Sequence, residues 1–124
     1  MEPLNLEERR ARGGPLFTDT IPHLASIIFE KVDQSIVEKI YLFGSYAYGE
    51  PDEDSDLDIC IVLKDDVERV NVMGKPGIAL LNYNIYPCDT LIYRSKYFYN
   101  APNPEGVESI IKEKGRLLYE QTGR

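Results

Sequence analysis

The period of apolar and polar positions changes several times along the chain, and each change marks an element. From Thr20 onward, Ile21, Leu24, Ile28 and Val32 recur at the spacing of one helix face, with Thr20 placed to cap and Pro22 in the first turn. Ile36 to Phe43 alternates early and becomes apolar late, which predicts a strand running into Gly44-Ser45. Ser45 to Tyr48 then opens a short helix, and Glu50 to Asp54 is a polar loop holding Pro51. Asp56 to Leu63 reads as a second strand. Its continuous Ile, Val and Leu content predicts burial on both faces.

Beyond Leu63 the pattern is less regular. Asp65 or Asp66 stands where it could cap a helix reaching Val70, Gly74-Lys75-Pro76-Gly77 interrupts the chain, and Ile78 to Tyr83 fits either helix or strand. Cys88 to Arg94 reads as a third strand with a carboxylate near its start. Asn103, Pro104 and Glu105 lead into a helix on which Val107, Ile110 and Ile111 share a face, and Gly115 supplies the stop. Arg116 to Glu120 completes the pattern as a short strand. Helices interleaved with about four strands predict an α/β (α+β) class, a single small domain with one mixed sheet flanked by helices. Met1 to Asp19, charged and broken at Gly13-Gly14-Pro15, is expected to be an N-terminal arm ahead of a domain covering residues 20–124.

Composition narrows the choice of function. At 124 residues the chain supports one core, which buries about two thirds of the unfolded surface in a domain of this size. A net charge of −7 disfavours a general nucleic-acid binder, because such binding rests on phosphate neutralisation by Lys and Arg; it suits a basic protein partner better. Cys60 and Cys88 sit in apolar, strand-like surroundings and read as reduced, buried thiols. No run of about 18 apolar residues and no basic-then-apolar leader is present, so the expectation is no membrane association and a cytoplasmic location. His23, the only histidine, has no partner nearby in sequence and is read as structural or exposed.

The chemistry gathers between Leu42 and Leu63. A small residue followed by a hydroxyl at the mouth of a short helix, Gly44-Ser45, lets backbone N–H groups approach phosphate oxygens closely. Strand side chains alternate faces, so Asp56 and Asp58 point the same way with alpha carbons roughly 6.5 Å apart, suited to a hard divalent cation. Two rival readings fail. An EF-hand loop opening at Asp52 would need glycine where Leu57 stands and glutamate where Leu63 stands, and a P-loop would need Lys-Ser/Thr where Glu50-Pro51 follows Gly49.

Gly44-Ser45-x-x-x-Gly49, then Ser55-Asp56-x-Asp58 and an apolar strand, resembles the signature of the DNA polymerase β-like nucleotidyltransferases. The similarity is closest to their minimal nucleotidyltransferase branch, often encoded beside HEPN-domain partners, and it runs from about Ile36 to Glu120. The resemblance implies a nucleotidyltransferase fold and a third carboxylate on a neighbouring strand, for which Asp89 is the best candidate. It implies that Asp56, Asp58 and Asp89 hold two Mg²⁺ ions, and that Gly44, Ser45, Gly49 and Ser55 serve the nucleotide. The implied reaction moves AMP from ATP onto a hydroxyl, that of a tyrosine on a HEPN-type toxin, with this chain as antitoxin. Assembly with copies of itself or with that partner is left open. Three carboxylates brought together without cations would repel one another, which favours a metal-loaded cluster independently of the name. The chain departs from the pattern at Tyr46 and Tyr48, where many relatives carry a basic residue; Lys64, Lys75 or Arg94 would have to substitute. Two alternatives therefore stand beside the first: a non-catalytic binder that neutralises a partner sterically, and transfer to a small molecule or RNA end.

Overall fold

The apolar run from Leu57 to Leu63 becomes the second strand, β2, of a computed structural model that describes residues 20–51 and 55–122. β1 (Val37–Phe43) and β3 (Cys88–Arg94) flank it, and β4 (Arg116–Glu120) lies beyond β1, giving the order β3-β2-β1-β4. β1 pairs antiparallel with β2 and with β4, whereas β2 and β3 run parallel, so the sheet is mixed. A parallel pair requires a crossover, and residues 64–87 supply it. The α+β class, the mixed four-stranded sheet and its flanking helices agree with expectation.

Both faces of the sheet are covered, which is why β2 is apolar throughout. On one face, Leu57, Ile59, Ile61 and Leu63 join Ile40 and Leu42 of β1 in the main core. That core is closed by Leu24, Ile27 and Ile28 of α1 (Leu24–Ile28) and by Ala79 and Leu80 of a helix at Lys75–Leu81. On the other face, Tyr41, Cys60 and Val62 meet Phe98 and Ile111, with Phe43, Leu91 and Tyr93 alongside. Phe98 belongs to a helix at Ser95–Tyr99 and Ile111 to a helix at Val107–Lys114. In chain order the helices are α1, α2 (Ser45–Tyr48), α3 (Lys75–Leu81), α4 (Ser95–Tyr99) and α5 (Val107–Lys114).

Three local expectations change. The helix expected across Ile21 to Val32 is a 3-10 turn at Ile21–His23 followed by α1, which stops at Ile28, although Val32 is still buried. The segment after Asp65 forms turns and a 3-10 helix at Arg69–Asn71 behind Glu68 rather than a helix capped by an aspartate. Asp65 caps elsewhere: its Oδ1 accepts the Lys96 N–H at 2.7 Å, at the start of α4. Gly74-Lys75-Pro76-Gly77 opens α3 instead of breaking the chain, with Gly74 at φ +88° ahead of the helix and Pro76 in its first turn, where its missing N–H costs nothing. The proposed N-terminal arm, residues 1–19, lies outside the described residues. Among the described residues no helix is long and apolar enough to cross a membrane.

Candidate active site

β1 ends at Phe43, the register partner of Asp58, and the chain turns immediately at Gly44. The turn places α2 against the start of β2. Gly44 sits at φ +73°, and a Cβ there would lie 2.1 Å from Oδ2 of Asp58, so the Asp58 carboxylate rests directly on the glycine backbone. Only glycine tolerates both the positive φ and that contact. Gly44 O then accepts N–H bonds from Ala47 and Tyr48 at 3.0 and 3.1 Å, closing the single turn of α2. Gly49 folds back on Ser45: its N–H donates to Ser45 O at 3.1 Å, and a Cβ at Gly49 would stand 3.0 Å from the Ser45 Cα. Both motif glycines therefore answer to close backbone approach, one to a carboxylate and one to the serine.

The third carboxylate arrives through the parallel pairing. Asp58 and Asp89 are register partners across β2 and β3. Alternation puts Asp58 on the same face as Cys60 and Val62, and Asp89 on the same face as Leu91 and Tyr93, all members or neighbours of the second apolar cluster. The two carboxylates thus share one face. Asp56 lies just ahead of β2 and is exposed, and Leu57 N–H donates to Pro87 O at 3.0 Å, tying the start of β2 to the residues preceding Asp89.

Electrostatics confirm the crowding. The Asp58 carboxyl is pushed up to about 6, first by its burial, then by the charges of Asp89 and Asp56. The Cys88 thiol is pushed up to about 12 by burial and then by the same three carboxylates, Asp58, Asp89 and Asp56 in that order. Cys88 is half-buried rather than enclosed, whereas Cys60 is fully buried; both are free. Sequence reading treated Cys88 only as a core thiol, and nothing in its spacing signals a place beside the acid groups. As they stand, no three His, Cys, Asp or Glu side chains among the described residues form a ready-made ion site. The donor set itself is hard, all carboxylate oxygen, and its mutual repulsion is what a divalent cation relieves.

The remaining motif residues fall as follows. Ser45 and Ser55 are half-buried at the two ends of the β1–β2 connection, of which residues 52–54 lie outside the described residues. Tyr46 is not a surface residue standing in for a cation: it is 7% exposed and packs in the main core. Tyr48 is exposed. Lys64 and Arg94 cannot substitute for a motif cation, because they lie at the opposite ends of β2 and β3 from Asp58 and Asp89. Asp89 and Arg94 are five positions apart, about 16 Å of strand.

With this geometry in place, comparison with known proteins is informative. The profile described as "Nucleotidyltransferase domain" matches residues 25–118. A protein of Methanocaldococcus jannaschii, provisionally named a protein adenylyltransferase, is 36% identical over 83 residues, covering 67% of this chain and 79% of that one. Among solved structures, a provisionally assigned nucleotidyltransferase from Sulfolobus solfataricus superposes with a TM-score of 0.50 at 19% identity, covering 97% of this chain and 91% of that chain. A toxin-antitoxin crystal structure with AMP-PNP gives 0.58 at 17% identity, covering 82% and 74%. At these identities the two structural likenesses concern the fold.

Proposed function

This chain belongs to the nucleotidyltransferase domain family, and from that premise we propose that it moves AMP from ATP onto a tyrosine hydroxyl of a HEPN-type toxin, acting as the antitoxin. The observation that carries the site assignment is the Asp58 carboxylate, seated on the Gly44 backbone and in register with Asp89. The provisional adenylyltransferase name of the archaeal relative supports the donor, and the toxin-antitoxin fold neighbour with AMP-PNP supports the setting.

In this reading Asp56, Asp58 and Asp89 would hold Mg²⁺, which would neutralise charge on the phosphates and lower the pKa of the attacking hydroxyl. The chain's own contributions are positional. The Gly44-Ser45 turn, free of any Cβ at its first residue, brings backbone donors and the Ser45 hydroxyl to the outer phosphates, and Gly49 holds that turn against the serine. Ser55, half-buried ahead of β2, is assigned to the nucleotide as well. The acceptor oxygen bonds to the α-phosphorus, the bond from that phosphorus to the bridging oxygen of the β-phosphate breaks, pyrophosphate departs, and the tyrosine proton passes to Asp89 or to solvent. The two free thiols suit a reducing, cytoplasmic setting.

The test is the intact mass of the toxin partner after incubation with this chain, ATP and Mg²⁺. A gain of whole adenylyl groups that disappears with Asp58→Asn supports the reading. An unmodified partner that is nonetheless neutralised supports steric inhibition instead, and modification that survives an Asp56→Asn/Asp58→Asn double substitution rules out the assigned carboxylates.

A further inference from the structure

At the other end of the same strands, where β3 leaves the sheet and the chain enters α4, the structure opens a cleft of about 480 Å³. That volume falls within the range of about 300–1,000 Å³ typical of small-molecule sites. Arg94, Lys96, Tyr97 and Asn100 line it, together with Asp65. The Tyr97 ring lies parallel to Tyr93, centroids 5.8 Å apart and planes 10° from coincidence, so one face is braced. Tyr97 is nevertheless 62% exposed, which leaves its ring open to a second stacking partner. Asn100 Nδ2 donates to Lys96 O at 2.9 Å, which fixes the amide. The Asp65 carboxylate, the one acid in the lining, accepts the Lys96 backbone N–H and sets one negative charge against the two side-chain cations, so the lining is positive on balance.

A braced aromatic ring beside two cations recognises a planar ring that carries an anion. We propose that this cleft binds a nucleoside phosphate, its base on Tyr97 and its phosphate between Arg94 and Lys96, at a site separate from the Asp58–Asp89 face. The separation is physical as well as topological. Arg94 stands about 16 Å along β3 from Asp89, roughly two Debye lengths at physiological ionic strength, so the acid cluster does not repel a phosphate bound here. The chain's net charge of −7 favours a free nucleotide over the 5′ end of an RNA, and the two share the chemistry recognised.

The experiment titrates AMP, without Mg²⁺, into the Asp56→Asn/Asp58→Asn chain and follows backbone amide shifts, so its outcome does not depend on whether the first site transfers nucleotides. The expected result is saturable shifts confined to residues 94–101. Tyr97→Ala and Arg94→Gln should each weaken binding about tenfold or more while leaving the remaining spectrum in place; Lys96→Gln serves as a third probe. Adenosine and inorganic phosphate, tested alone, should each bind more weakly than AMP. A 5′-phosphorylated oligoribonucleotide that outcompetes AMP with the same sensitivity to the substitutions would confirm the site and assign its ligand to an RNA end. Absence of shifts at residues 94–101 with millimolar AMP, or affinity unchanged in all three variants, overturns the proposal.

Discussion

Gly44 carries two constraints at once, a φ of +73° and a carboxylate oxygen where its Cβ would be. Gly44→Ala should therefore destabilise the fold by about 1–3 kcal/mol and displace Asp58, with transferase activity falling by about 100-fold or more, checked by denaturant unfolding and by turnover. Asp58 also gives a pH signature. Its folded-state carboxyl titrates near 6, above its ordinary 3.8, so its contribution to stability is complete below the ordinary value and is lost as pH rises through about 6. In metal-free buffer, unfolding midpoints of wild type and Asp58→Asn should diverge in favour of Asn as pH rises from the ordinary carboxyl value of 3.8 to about 6 and stay apart above it, and millimolar Mg²⁺ should restore the wild type. Tyr46 was the residue sequence reading placed least well. The motif comparison treats it as a missing cation, whereas the side chain is in the core. Tyr46→Arg, which moves the chain toward the basic pattern of relatives, should destabilise it by several kcal/mol because it buries an unpaired charge.

At the scale of elements, legibility followed how each segment is stabilised. β2 could be read because burial on both faces demands an unbroken apolar run, and β3 and α5 because their bounding residues are ordinary strand and helix signals. α4, Ser95–Tyr99, escaped because Tyr97, Phe98 and Tyr99 have strand-like propensity; tertiary packing of Phe98 on Cys60 and Val62 and a cap from distant Asp65 decide the matter. The same long-range cap explains why Asp65 was assigned to the wrong helix. Asp65→Ala should cost about 1 kcal/mol of stability and loosen residues 95–99, measurable as faster amide exchange at Lys96. Phe98→Ala, which empties the second cluster, should cost about 3–5 kcal/mol in denaturant unfolding.

For the whole molecule, a mixed sheet with helices on both faces leaves the leading ends of β2 and β3 as the place where the acids collect, and the parallel pairing brings Asp89 into line with Asp58. Spacing alone could not supply that pairing, since an interval of 31 residues allows a hairpin or a crossover equally. The most direct test replaces Mg²⁺ with paramagnetic Mn²⁺ and maps which backbone amides broaden. The carboxylate assignment predicts broadening centred on residues 44–46, 56–58 and 88–90, abolished by Asp58→Asn. Broadening centred elsewhere, or unchanged in that variant, would contradict it.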